Sequence, residues 1–261
     1  QLIYDDIMSH NNGRIEKASI QKYLNTKGLL ESIVDRAFNE ELFKVKNSMR
    51  SPYYNGLHLI NRKVLIEYLR QLLHSDQRTA PFEMLALEDA VYTQIAFETE
   101  DNNVRKIRIG GIIDRLDRVT DARTGVSTIR VVDYKTGIQA TRKIKEIEEI
   151  FSDMNISQKH SDYYLQAILY SLIVDNSTKY NKQKDCVSPA LLFVKQASKE
   201  NYDPVLEIDS QKIANVREYK VEFEQHLKEV LHDIFNTNLP FTPTTDNTRC
   251  DKCAYRGICK V

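Results

Sequence analysis

Residues 131–137 read VVDYKTG, a hydrophobic run that ends by placing an aspartate and a lysine two positions apart. Side chains alternate along a strand, so Asp133 and Lys135 share one side and Tyr134 takes the other. A solvated ion pair at a sheet rim would contribute little. Held at a strand end, the same two charges also make half of a site for chemistry on an anion. Upstream, IRIGGIIDRLDRV puts Asp114 at the end of another apolar run, after Gly110 and Gly111, where a backbone or ligand can come close. If the two runs are hairpin neighbours, Asp114 comes beside Asp133, and two such carboxylates repel unless a cation lies between them. Oxygen ligands completed by waters suit Mg²⁺, with Mn²⁺ as the alternative, and Lys135 would stabilise a nucleophilic water or the charge building on a phosphate. A second reactive group, Cys250, Cys253 and Cys259, is spaced C-x2-C-x5-C, with Cys186 apart from it. In a chain of intracellular type that clustering suits a metal or cluster better than a disulfide scaffold.

The elements that must hold these residues can be read from periodicity. The first 80 residues predict helices: IQKYL after Ser19, then GLLESIVDRAFNEELFK with Gly28 as the break, then LHLINRKVLIEYLRQLLHSD with an apolar face of Leu57, Ile60, Val64, Tyr68 and Leu72. After Pro81 the segments MLALE, VYTQIAFETE, KIRIGGIIDRLDRVTD and STIRVVDYKTG predict an antiparallel meander, with ARTG at a hairpin tip. Residues 138–160 are polar and charged and predict a mobile connection, with a short helix in TRKIKEIEEI. SDYYLQAILYSLIVDN predicts a helix, PALLFVKQ a buried strand that pairs in parallel, and residues 213–235 a long helix turning Ile213, Val216, Phe223, Leu227, Leu231 and Ile234 inward. The order predicts an α/β or α+β chain with helices on a central mixed sheet. Its expected divisions are a helical region over 1–81, a core over 82–240 and a cysteine-rich tail over 241–261.

Composition narrows the partners. Lys plus Arg and Asp plus Glu both number 37, so net charge gives no electrostatic footprint for nucleic acid, although a local basic surface remains open. No stretch approaches the ~20 apolar residues of a membrane span, and the start lacks a signal-peptide pattern, so the expected location is the cytoplasm. QLIYDDIM carries helical spacing with no helix-start signal and no methionine, which predicts a fragment of a longer protein.

GIIDR with Asp114, VVDYKTG with Asp133, Tyr134 and Lys135, and YYLQAILY with Gln166 and Tyr170 resemble the PD-(D/E)XK nucleases. Within that superfamily they look most like the RecB-like and AddB-like nuclease domains attached to DNA helicases. The resemblance spans roughly residues 82–261 and implies a restriction-endonuclease-like core carrying an N-terminal helical insert. It implies Asp114 and Asp133 as metal ligands together with the Tyr134 backbone carbonyl, Lys135 as catalytic, and Gln166 and Tyr170 as a further motif. Four positions apart, Gln166 and Tyr170 share a helix face, as that motif requires. The implied activity is metal-assisted hydrolysis of DNA, as an exonuclease on single strands fed by a helicase in recombination or repair. No G-x-x-x-x-G-K-[ST] sequence occurs, so the motor would lie elsewhere.

Arg115 has two readings, a phosphate contact and an ion pair with Asp117. The resemblance further implies a histidine ligand on a helix before the insert. His10 sits too late for it, beside the turn sequence NNG, and reads as a solvated helix terminus. A fragment without that ligand would bind metal poorly. AddB-like domains use the same C-x2-C-x5-C for three corners of a [4Fe-4S] cluster, with Zn²⁺ as the alternative that spacing cannot separate. Cys186 reads as an ordinary buried or strand-edge cysteine, or else as the fourth ligand. Two other functions compete with the nuclease: a non-catalytic DNA-binding module of the same fold, and a cysteine-metal interaction domain whose acidic strand ends are merely surface.

Overall fold

The computed structural model describes residues 1–45, 52–100, 103–137, 143–242, 244, 250–251 and 253–259. The N-terminal region is helical as its periodicity predicts: α1 (Leu2–Asn11), α2 (Lys17–Asn25), α3 (Leu29–Ala37) with a π-helical turn over Phe38–Leu42, and α4 (Gly56–Thr79), Gly28 separating α2 from α3. A two-residue strand, β1 (Arg14–Ile15), joins this region to the sheet.

The segments MLALE and VYTQIAFETE form one 17-residue strand, β2 (Phe82–Glu98). It runs antiparallel to the equally long β3 (Val104–Thr120), and β3 runs antiparallel to β4 (Ser127–Lys135). The turn into β4 is tied by the Asp121 carboxylate, which accepts from the amides of Arg123 and Thr124. A parallel fifth strand, β5 (Cys186–Phe193), completes the curled mixed sheet in the order β1-β2-β3-β4-β5. Parallel pairing requires a crossover. Residues 143–175 supply it through a 3-10 turn (Ile147–Phe151), α5 (Asp153–Lys159) and α6 (Ser161–Asp175). A small hairpin, β6 (Glu207–Ile208) with β7 (Gln211–Lys212), precedes α7 (Lys220–Phe235), and a short helix, α8 (Arg256–Cys259), lies in the tail. The result is a mixed α/β fold of the restriction-endonuclease type, with helices flanking the sheet.

The main core lies between the sheet and helices α6 and α7, where Ile113, Leu116, Ile129 and Val131 meet Ile168, Phe223 and Leu227. A second core joins α1, α2 and α4 to β1 and β2 through Tyr4, Ile15, Ile20, Leu73 and Phe82.

Three sequence expectations need correction. The expected inward face of α4 holds only in its second half: Leu57, Ile60 and Val64 are 64%, 61% and 42% exposed, whereas Tyr68 and Leu72 are half-buried against Val132, Ala190 and Leu192, and Ile66 and Leu73 are buried beside them. The helix expected over 213–235 begins only at Lys220, after a 3-10 turn (Val216–Tyr219), and Ile234 is exposed, although Ile213, Val216, Phe223, Leu227 and Leu231 are buried as expected. Residues 143–160 are not a loose connection, since Ile144, Ile147 and Ile150 are buried and Ile144 bridges to Ile208; residues 138–142 of that expectation lie outside the described residues. Among the described residues no helix is long and apolar enough to cross a membrane.

Candidate active site

The β3–β4 pairing begins at Arg115 opposite Val132, so the next residues outward, Asp114 and Asp133, face one another where the two strands leave their ladder. Asp114 Oδ2 accepts the Tyr134 backbone amide at 2.7 Å, which fixes the carboxylate against the end of β4. Alternation along β4 sends Asp133 and Lys135 to the α6 side, and their ion pair measures 2.6 Å. Burial pushes the Asp133 carboxyl above its ordinary pKa, and the Asp114 charge adds to this, while the Lys135 ammonium opposes it. An acid so placed costs free energy when ionised, and a further cation beside it would offset that cost.

Tyr134 points the other way. Its hydroxyl accepts from Arg115 Nη1 at 3.3 Å, and burial, before all other influences, pushes its pKa up to about 12. It therefore stays neutral and works as an anchor. Arg115 behind it is fully buried, with Nη1 donating to Asp76 of α4 at 2.8 Å and Nε donating to Asp117 at 2.7 Å. Arg130 holds the other Asp117 oxygen at 2.8 Å. Of the two readings of Arg115, the structure takes the ion pair: a side chain with no exposed surface cannot hold a substrate phosphate.

On α6, Gln166 and Tyr170 share a face, both half-buried. The Tyr170 hydroxyl lies directly over Gly111 of β3, in the space a side chain there would fill, so the glycine is required by this close approach. One turn earlier on the same face stands Tyr163, with the Lys135 ammonium 4.3 Å from its ring centroid and the His160 ring stacked against it at 5.1 Å. Tyr163 was not singled out by motif, yet its spacing of three and seven from Gln166 and Tyr170 places it on their stripe.

The profile of the PD-(D/E)XK nuclease superfamily matches residues 9–260. The chain belongs to that superfamily. No curated protein matches the chain closely enough to be called a relative. Superfamily membership suggests a nuclease, with DNA as the implied substrate, and the match includes α2, α3 and α4 as well as the strands that carry the acidic residues.

For a nuclease of this superfamily the donor set fits a hard divalent cation: two carboxylates on neighbouring strand ends, one of them destabilised as an anion, with the remaining positions left to water and phosphate oxygens. The fit ends there. Among the described residues no group of three or more His, Cys, Asp or Glu is gathered to hold a metal. His10 lies in the last turn of α1 as a surface residue whose Nδ1 is 2.8 Å from the Asp6 carbonyl. All four cysteines are free. Cys186 starts β5, whereas Cys250, Cys253 and Cys259 lie in the tail, and no chemistry is routed through them.

Proposed function

We propose that this chain is a metal-dependent deoxyribonuclease that hydrolyses phosphodiester bonds at the β3–β4 rim, as an exonuclease on single strands supplied by a helicase in recombination or repair. The observation that carries the reading is the opposition of Asp114 and Asp133 with Lys135 paired to Asp133 at 2.6 Å. Asp114, Asp133 and the Tyr134 carbonyl would hold Mg²⁺ or Mn²⁺, which when bound supplies an activated water and neutralises phosphate charge. Lys135 is the cation aimed at the reacting phosphate. Asp133 and the Tyr163 ring restrict where its ammonium can sit, so its charge is in place before substrate arrives. Tyr170, packed on Gly111, and Gln166 one turn before it set the distance between α6 and the strand that carries Asp114.

The RecB-like or AddB-like assignment, the helicase partner and the iron-sulfur or zinc role of the tail rest on motif order and cysteine spacing. An absorbance spectrum of anaerobically purified protein separates a brown cluster from colourless zinc or no metal. The activity is tested by digestion of end-labelled single-stranded DNA with Mg²⁺ or Mn²⁺ against EDTA, comparing Asp133→Ala and Lys135→Ala. Each substitution is expected to lower the rate by about 10²-fold or more. Undiminished digestion by both variants would remove the assignment.

A further inference from the structure

Beside the rim, on the α6 side of β5, lies a cavity of about 280 Å³. Its floor is Leu191 and Phe193, the β5 partners of Asp133 and Lys135 in the parallel register. Leu191 and Phe193 face the main core under α6, as Ile129 and Val131 do on β4, so alternation sets Asp133, Lys135 and the two floor residues on one face of the sheet. One strand spacing, about 5 Å, separates the two rows. The far wall is residues 203–206, held along the free edge of β5 by the Leu191 amide on the Pro204 carbonyl at 2.8 Å and the Leu206 amide on the Pro189 carbonyl at 3.0 Å.

Two polar groups at this cavity lack partners. Tyr164 of α6 lines it at only 5% exposure, and its hydroxyl makes no hydrogen bond among the described residues. Burial, with the Glu207 charge adding to it, pushes the Tyr164 pKa up to about 12, so the hydroxyl is a neutral donor. Glu207 stands exposed at the mouth. Its cross-strand neighbour Lys212 is taken by Asp203 at 2.7 Å, which leaves the Glu207 carboxylate without an ion pair among the described residues. A buried hydroxyl without an acceptor is costly, and a ligand would supply one. That ligand must offer an acceptor to Tyr164 and a donor to Glu207. A phosphate offers acceptors alone and is repelled by the carboxylate. The pairing edge of a nucleobase offers both side by side, as cytosine does with N3 and its N4 amino group, and a flat base suits the Leu191 and Phe193 floor.

We propose that this cavity receives one unpaired nucleobase of the strand whose phosphate lies at the rim, with the Tyr164 hydroxyl donating to its pairing edge and the Glu207 carboxylate accepting from it. The proposal rests on the nuclease reading for the phosphate beside it, but the base contacts are independent of hydrolysis. The volume falls just below the roughly 300–1,000 Å³ of pockets for drug-sized ligands, which is room for one base. A base in a duplex has its pairing edge occupied, so the cavity selects single strands. Each of the four bases carries a donor beside an acceptor on that edge, so the selection does not depend on sequence.

The test is fluorescence anisotropy of the full chain in EDTA with two labelled five-residue chains of equal charge, an oligodeoxycytidylate and an abasic deoxyribose phosphate. The wild type is expected to bind the first about tenfold or more tightly. Tyr164→Phe, and separately Glu207→Ala at its exposed position, are each expected to cut that preference about three- to tenfold. Tyr164→Phe is expected to keep the wild-type affinity for the abasic chain, which shows that it has folded. Asp5→Ala, which removes an exposed carboxylate on α1, is expected to keep the full preference. No preference in the wild type, full preference in both cavity variants, or an equal loss in Asp5→Ala each overturns the base site. Metal-dependent digestion that needs Asp133, with full preference in both cavity variants, removes the base site and leaves the nuclease reading. Cavity-dependent preference with no digestion under either metal removes the nuclease reading and leaves the base site.

Discussion

At the scale of single residues the site is a contest between burial and charge. Asp133 is buried enough that its ionised form is disfavoured, so a neutral isostere should relieve the protein. A carboxylate whose folded pKa is raised weakens the fold at pH above that value, and the weakening disappears as pH falls through it. Asp133→Asn is therefore expected to raise the melting temperature in EDTA at neutral pH by about 1–3 °C while abolishing digestion. A lowered melting temperature would show that the Lys135 pair outweighs burial. Tyr163 acts through Lys135. Tyr163→Ala, which frees the ammonium, is expected to lower kcat by about 2- to 30-fold, and Tyr163→Phe, which keeps the ring, to restore it. Equal rates in wild type and Tyr163→Ala would place the ring outside catalysis.

At the scale of elements, β4 is read from both sides. Its α6 side carries Asp133 and Lys135, and its other side carries Tyr134 on the buried Arg115–Asp76–Asp117–Arg130 assembly. Burial would push the Asp117 carboxyl up, but Arg130 and Arg115 outweigh it and hold it below the usual range. Such a group stabilises the fold fully above its unfolded pKa of about 3.9 and loses that contribution as pH falls below it. Asp117→Asn is expected to lower stability by about 3–5 kcal/mol at pH 7, because the arginines lose a buried counter-charge. The gap to wild type in urea titrations should narrow below about pH 4, and a gap that stays constant would discount the ionic account. What could be read in advance follows the same division. Strand alternation gave the Asp133–Lys135 side, and hairpin adjacency gave Asp114 as its neighbour. The interior face of α4 was legible only at Tyr68 and Leu72, because Leu57, Ile60 and Val64 form one apolar stripe and Ile66, Leu69 and Leu73 another. The choice between them is made by Asp76, which must reach an arginine 39 residues away, and periodicity carries no trace of such a partner. Tyr163 was legible in spacing but not in residue type, since an aromatic residue on a core helix usually only packs.

At the scale of the whole molecule, the N-terminal helices and the sheet are joined where it matters for chemistry. Tyr4 of α1 hydrogen-bonds Asp76 of α4, Asp76 holds Arg115, and Arg115 supports Tyr134, the residue between the two charged groups of the rim. Weakening this chain at its far end should therefore reach the site. Tyr4→Phe is expected to reduce digestion by about 2- to 10-fold, since Asp76 keeps Arg115 but loses a buried donor. A Tyr4→Phe rate equal to wild type would separate the helical region from the rim.

The buried Arg115 assembly has a last consequence for how the protein fails. Because one guanidinium ties the first helix, the fourth helix and the two acidic strands, the rim cannot melt alone while the remainder stays ordered. Loss of activity in rising denaturant should trace the same sigmoid as loss of helical circular dichroism, so the protein is expected to switch off as a unit rather than fade.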